Sequence, residues 1–360
     1  MTRILMASND QTFSPALSHA YHARGLDVVA GIPNLDPAFG RADVVHLHWP
    51  EELVGWGQNH RDPERTARAL DLLDRWRQRA VLVATVHNLV PHGTDRLDGP
   101  EAAYFNAFYR RVDLICHYSD YSRARFRETY PDLDDARHIV VPLNSYSHLL
   151  PLAQGRAAAR GALGLSADEP VFAVCGAIRH GEEMVLVRDA WRAFRRPDAR
   201  LLLATRPNWA SIPQPRRLAA KLRHGLWLRD GRIRRLPPGP SDAALVQILE
   251  AADALLIPRL GHHLNSGLIP LALTFGTAVV APDRGANREI VPLPANELWA
   301  PTGPRAFAEA MARQADKDSA AVRAANLAHR DTIGWARILD LIWPRLAAIG
   351  QARGIGAFTA

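Results

Sequence analysis

Residues 46 to 52 read HLHWPEE, which packs two imidazoles, an indole and two carboxylates behind an apolar run. Side chains alternate along a strand, so His46 and His48 share one face, while Trp49 and Glu51 fall at or just past its end. Imidazole and carboxylate are the side chains most able to give and take protons near neutral pH. Two other apolar runs end the same way: RILMAS leads to Asp10 in SND, and AVLVATVHN carries His87, with His92 just beyond. One of the paired histidines is expected to be a core residue satisfied by hydrogen bonds, the commoner fate of a buried imidazole.

A second chemistry is written in LNSGLIPLALTFGTAVVAPDRG, residues 264 to 285, which has no charged residue until Asp283. It reads as two elements in series: a helix from Ser266 to Phe275 stopped by Gly276, then a buried strand over 277 to 281. Asn265, Ser266 and Gly267 start that helix, and Pro270 falls one turn in, where its missing N–H costs little. Backbone amides at Ser266 to Leu268, with no side chain on Gly267, form a shape that accepts phosphate.

Elements that hold strand ends in this way must be parallel. RILMAS, DVVAG, DVVHLH, AVLVATVHN, DLICHYS and HIVVPL alternate with amphipathic segments, the pattern of a parallel sheet wrapped by helices. PERTARALDLLDRWRQR, which places Ala69, Leu72, Leu73 and Trp76 on one face, is a crossover helix. The pattern restarts with VFAVCGAIR, ARLLLATR, DALLIPR and TAVVAPD, after a linker near 148 to 170. An amphipathic tail, TIGWARILDLIWPRLAAIG, ends the chain as a helix expected to be interrupted or bent at Pro344.

A chain of 360 residues suits two domains rather than one core. All but two of its basic residues, Lys221 and Lys317, are arginines, and the net charge of +7 favours an anionic partner. Cys116 and Cys175 lie in apolar runs with neither metal nor disulfide spacing, which predicts buried, reduced thiols. RILMAS reads as a first strand rather than an export leader, so the expected location is cytoplasmic.

Two doubly wound domains, an IR element (Ile178, Arg179), the NSG block, AVVAPDRG and a terminal Trp-bearing helix together resemble the GT-B glycosyltransferases. DVVHLHWPE, TVHNLVPH and NSGLIPLALTFG are most similar to bacterial enzymes of exopolysaccharide assembly, including glycolipid β-1,4-mannosyltransferases. The resemblance implies an α/β fold of two Rossmann-like domains facing a cleft. Residues 1–155 would bind acceptor, 156–330 would bind the nucleotide sugar, and 331–360 would form a helix packing back on the first domain. It implies a hexosyltransferase that needs no cofactor and uses a GDP- or UDP-linked sugar as co-substrate. The expected acceptor is a saccharide, lipid-linked or natural-product hydroxyl, met in the cytoplasm or at the inner face of the plasma membrane, where an anionic surface could hold the protein peripherally.

Three departures from the family pattern stand out. The paired glutamates of the large retaining family align with His263 and Leu271, its donor lysine falls near Glu182, and its HG near the crossing reads Asn144-Ser145. The missing pair tilts the expectation towards inversion, and with no DxD-like metal pair in the sequence the transfer is expected to need no metal. Glu51 is then the first choice for base, with His87 and Asp10 as alternatives. Arg179, Asn265, Ser266, Gly267, Leu268 and Glu289 are the expected donor contacts, and His48, Trp49, His92, Tyr121 and Tyr146 the acceptor contacts. Rival readings are an inactive GT-B scaffold and a nucleic-acid binder built on RRPDAR, PRRLAAKLRHG and RDGRIRR. The second lacks any reader helix, zinc spacing or aromatic block.

Overall fold

Strands whose residues are all buried on both faces read as nearly continuous apolar runs, and VVHL, VLVAT, LICH and VFAVC are of that kind. The first sheet contains β1 (Arg3–Ala7), β2 (Asp27–Ala30), β3 (Val44–Leu47), β4 (Val81–Thr85), β5 (Leu114–His117) and β6 (His138–Val140). Its strands are parallel, in the order β2-β1-β3-β4-β5-β6. The second contains β7 (Val171–Cys175), β8 (Arg200–Ala204), β9 (Ile233–Arg235), β10 (Ala254–Leu256), β11 (Ala278–Pro282) and β12 (Glu297–Trp299). It too is parallel, in the order β12-β11-β10-β7-β8-β9.

The computed structural model describes all residues except 11–12, 37, 39, 93–98, 148, 152, 262, 357 and 359–360. The chain divides into two compact units, Met1–Leu143 with Ile333–Ala360, and Asn144–Thr332. The terminal segment therefore belongs to the first unit. There the helix Trp335–Ala352 runs through Pro344 without a break. Buried Ile338, Leu339, Ile342, Trp343 and Leu346 hold it on both sides of the proline, and that packing outweighs one lost backbone hydrogen bond.

Residues 148 to 170, expected as linker, include the helix Arg156–Ala162 of the second unit. Buried Arg160 meets Asp253 at 2.9 Å, and Asp253 also accepts from the Val171 amide at 2.7 Å, so this helix is pinned to the entry of β7. Two strands escaped the sequence reading, β9 and β12, each of three residues. The IRR of RDGRIRR forms the sheet edge at β9, and Arg196 of RRPDAR pairs with Asp198 and Asp316. Both cysteines are buried, and burial pushes each thiol up to about 12.

Candidate active site

Where the connections leaving neighbouring parallel strands run in opposite directions, a crevice opens beyond the strands' carboxyl ends. In the first unit this point lies between β1 and β3, and a pocket of about 320 Å³ sits there, lined by Asn9, Asp10, Trp49, Glu52, Trp56 and His92. Asp10 follows β1, and its Oδ2 accepts from the Phe13 amide and, at 3.2 Å, the Ser14 amide, which starts the helix Phe13–Ala23. Glu52 is buried, with Oε1 taking the Asn9 amide at 2.6 Å and Oε2 the Ser8 hydroxyl at 2.8 Å. Burial raises its pKa above the usual carboxylate value despite those bonds.

Glu51 behaves differently. It does not line the pocket; it is 2 % exposed and holds the turn that follows β4. Its oxygens accept from the His92 amide at 2.6 Å and Asn88 Nδ2 at 3.2 Å, and they face His92 Nδ1 at 3.0 Å. Burial pushes its pKa up, but the hydrogen bonds from His92 and Asn88 outweigh it and leave the carboxyl below its ordinary value. A carboxylate so occupied and so weakly basic suits anchoring better than proton abstraction, contrary to its first-choice place in the sequence reading.

The histidines form a file behind the pocket. His46 is a core residue, its ring nitrogens 3.1 Å from the Tyr21 hydroxyl and 3.0 Å from Thr85 Oγ1. His48 stacks on it at 5.1 Å and is only 1 % exposed, so it supports the site from behind rather than touching an acceptor. His48 Nδ1 lies 3.0 Å from Nε2 of half-buried His87, whose ring stacks on Trp49 at 4.1 Å. Burial holds His48 down to about 4 and His87 well below the ordinary imidazole value, the latter helped by the neighbouring histidines. Both rings are neutral at pH 7.

Trp56 completes the wall. It is 40 % exposed and lies 5.9 Å from both the Trp49 and His92 rings. Its φ of 63°, between Gly55 at 89° and Gly57 at 62°, is a left-handed conformation that a bulky residue adopts only at a cost. Tyr121 lies half-buried in the first turn of the helix Asp120–Thr129, away from the pocket lining. Ser119 caps that helix by accepting from the Ser122 amide at 3.0 Å.

In the second unit the reversal lies between β7 and β10. Gly176 follows β7 with φ of 81°, and a Cβ there would stand 3.2 Å from the Leu268 side chain. Leu268 thus packs the 265–268 loop against the turn that carries Arg179. Arg179 is exposed, and its amide donates to buried Glu183 at 3.0 Å. The same Glu183 oxygen meets Arg259, just past β10, at 3.1 Å, a second cation that the sequence reading passed over. Burial lowers the Arg259 pKa, the Glu183 charge opposes that, and Arg179 adds to the lowering, which places the two guanidiniums within each other's field.

The helix after the NSG loop is shorter than expected, Leu268–Thr274, with Gly267 as its cap. Among the described residues no backbone carbonyl takes the amides of Ser266, Gly267 or Leu268, and Asn265 Nδ2 is buried without a partner. A Cβ on Gly267 would lie 2.8 Å from the Tyr146 hydroxyl, so Tyr146, expected on the acceptor side, covers the NSG loop instead. Its amide donates to Thr274 Oγ1 at 2.9 Å. Glu289 is exposed in the short helix Asn287–Ile290, after β11. Asn9, Glu52, Trp56 and Arg259 were missed because which groups gather at a strand-order reversal is visible only once the strand order is known.

No model of a known protein family matches the chain. It is 29% identical over 326 residues to the D-inositol 3-phosphate glycosyltransferase of Saccharomonospora viridis, covering 84% of this chain and 69% of that protein. To the enzyme of the same name from Nocardia farcinica it is 30% identical over 260 residues, covering 68% of this chain but 52% of that one. The chain thus spans between about half and two thirds of these curated relatives. Among solved structures, Anabaena HepE in complex with UDP and glucose superposes with a TM-score of 0.72 at 14% identity, over 97% of this chain and 100% of that one. The fold is therefore GT-B. The two curated relatives that the chain matches in sequence are both named as glycosyltransferases.

Proposed function

We propose that the protein transfers a sugar from a nucleoside diphosphate sugar to a hydroxyl of a saccharide, glycolipid or natural-product acceptor. The observation that carries this reading is the pocket at the β1/β3 reversal, where a carboxylate (Asp10) and two indoles (Trp49, Trp56) line one cavity. Indole faces stack on the apolar faces of sugars, and a carboxylate at the same wall can receive a hydroxyl proton. UDP is the favoured nucleotide because HepE, the structural neighbour above, was solved with UDP and glucose.

In the proposed reaction the acceptor oxygen attacks the anomeric carbon as its proton passes to Asp10. The bond from that carbon to the diphosphate oxygen breaks, and the electron pair leaves with the nucleoside diphosphate. Arg179, Arg259, Asn265 Nδ2 and the amides of 266–268 meet the growing charge, which gives the leaving group its stabilisation without a metal. Neutral His87, backed by His48, is suited to orient a hydroxyl rather than carry charge. One displacement inverts the anomeric centre, in keeping with the absence of the paired glutamates at His263 and Leu271. The protein is taken to be cytoplasmic and to meet its acceptor there or at the inner membrane face; among the described residues no helix is long and apolar enough to cross a membrane.

Asp10→Asn tests the reading, since asparagine retains a side-chain oxygen for the helix cap while losing the base. Turnover with UDP-glucose and a panel of glycoside acceptors should vanish while UDP binding persists. Near-normal turnover would remove Asp10 from the chemistry, and retention of configuration in the first-formed product would remove inversion.

A further inference from the structure

Six large apolar side chains are strongly exposed among the described residues, and three of them, Leu218, Leu222 and Leu226, sit on one helix. That helix, Arg216–Trp227 of the second unit, comes from PRRLAAKLRHG, the basic stretch that the proposed reaction leaves unused. Residues four apart share a face, so the leucines form one stripe, each 60 to 62% exposed, continued by exposed Ala219 and Gly225. Ala220, His224 and Trp227 are buried on the opposite side, where His224 meets Trp209 at 5.1 Å and Trp227 at 5.3 Å. The helix is therefore amphipathic twice over: one apolar face is covered by the protein and the other faces solvent.

The exposed stripe has a basic border. Arg216, Lys221, Arg223 and Arg229 are exposed, and among the described residues none has an ion-pair partner. The helix itself contains no acidic residue. Arg217 is already engaged, donating to the carbonyls of Ile212 at 2.8 Å and Ala210 at 2.9 Å, which fastens the helix start to its own unit. An apolar stripe edged by cations is the pattern of a helix lying in a lipid interface, with its leucines among acyl chains and its cations among phosphates. A second copy of this chain is a poor occupant, because a two-fold contact would bring the same unbalanced cations face to face.

We propose that Arg216–Trp227 is a docking surface for an anionic lipid bilayer, holding the second unit at the membrane through Leu218, Leu222 and Leu226. In the first unit, among the described residues, only Met1 and Trp56 are large, apolar and strongly exposed. The docking does not depend on which reaction the chain performs, so it is tested without substrate.

Flotation of the full chain with vesicles of phosphatidylcholine and phosphatidylglycerol, against vesicles of phosphatidylcholine alone, tests the surface. The native chain should float with the anionic vesicles and stay at the bottom with the neutral ones. Replacing all three leucines by serine should lower partitioning by about a hundredfold, since each leucine loses its place in hydrocarbon. Its melting temperature should hold, because the stripe touches no core. Lys221→Gln with Arg223→Gln should lower partitioning by about tenfold, as should about 0.5 M salt. The proposal is overturned if the native chain does not float, if it floats equally with neutral vesicles, or if the serine variant floats like the native chain. A lipid-free native chain that light scattering shows to be a dimer, and a serine variant that it shows to be a monomer, would assign the stripe to a second copy and overturn it equally.

Discussion

The two units answer the same architectural problem with different chemistry. Each is a six-stranded parallel sheet, and each gathers polar groups beyond the strands at its order reversal, β1/β3 in one and β7/β10 in the other. Around the first reversal stand carboxylates, neutral imidazoles and indoles: Asp10, Glu52, His87, Trp49 and Trp56. Around the second stand guanidiniums and amides: Arg179, Arg259, Asn265 and the backbone of 266–268. One set can receive a proton and stack on an uncharged ring, and the other can only attract anions. A shared fold does not assign function; the side chains at equivalent strand ends do.

The largest effect that would break this contrast is at Asp10. Replacing it by asparagine should cut turnover by about a thousandfold, whereas Glu51→Gln, which loosens the turn at 88–92, should cost far less. Steady-state rates with donor affinity measured in parallel would compare the two, and equal losses would erase the distinction between base and anchor. Acid should come next, and it should strike the first unit harder. His46, His48, His87, His117 and His138 are all held below the ordinary imidazole value there, chiefly by burial. In the second unit His224 and His329 are so held.

A histidine whose folded pKa is depressed gives up stability as pH falls from the unfolded value, near 6.5, towards the folded one. For His48, down to about 4, that amounts to about 3 kcal/mol. Hydrogen exchange should therefore show the first unit loosening between pH 6.5 and 4 before the second, and simultaneous loosening would contradict the assignment.

Smaller effects sharpen the second half of the contrast. Arg259→Met should weaken UDP binding by about tenfold or more while leaving the acceptor KM unchanged, read by calorimetry beside kinetics. Gly267→Ala should weaken donor binding too, because its Cβ would crowd the Tyr146 hydroxyl at 2.8 Å. Adding Tyr146→Phe should restore much of the loss, and no rescue would mean the amides themselves had moved. Last, Trp56→Ala should raise the acceptor KM by about tenfold and leave UDP binding alone, a split that a purely structural tryptophan would not produce.

Much of this was written locally. Period and composition marked ten of the twelve strands, the crossover helix Pro63–Arg77, the glycine stop at Gly276 and the motifs His46 to Glu52 and Asn265 to Leu268, because burial on both faces forces long apolar runs. β9 and β12 escaped because three-residue strands at sheet edges need little apolar length, and RIRR looks like a basic patch.

What the sequence could not decide was which strand lies beside which. Glu51 and Glu52 are neighbours in the chain, yet one turns to His92 and Asn88 and the other to Ser8 and Asn9. Arg259 becomes a partner of Glu183, and Tyr146 of Gly267, only when β10 is laid against β7 and the 265–268 loop is folded beside them. Local residue type specified the chemical groups on offer. Their grouping followed from strand order, a property of long-range packing that no short stretch of sequence encodes by itself.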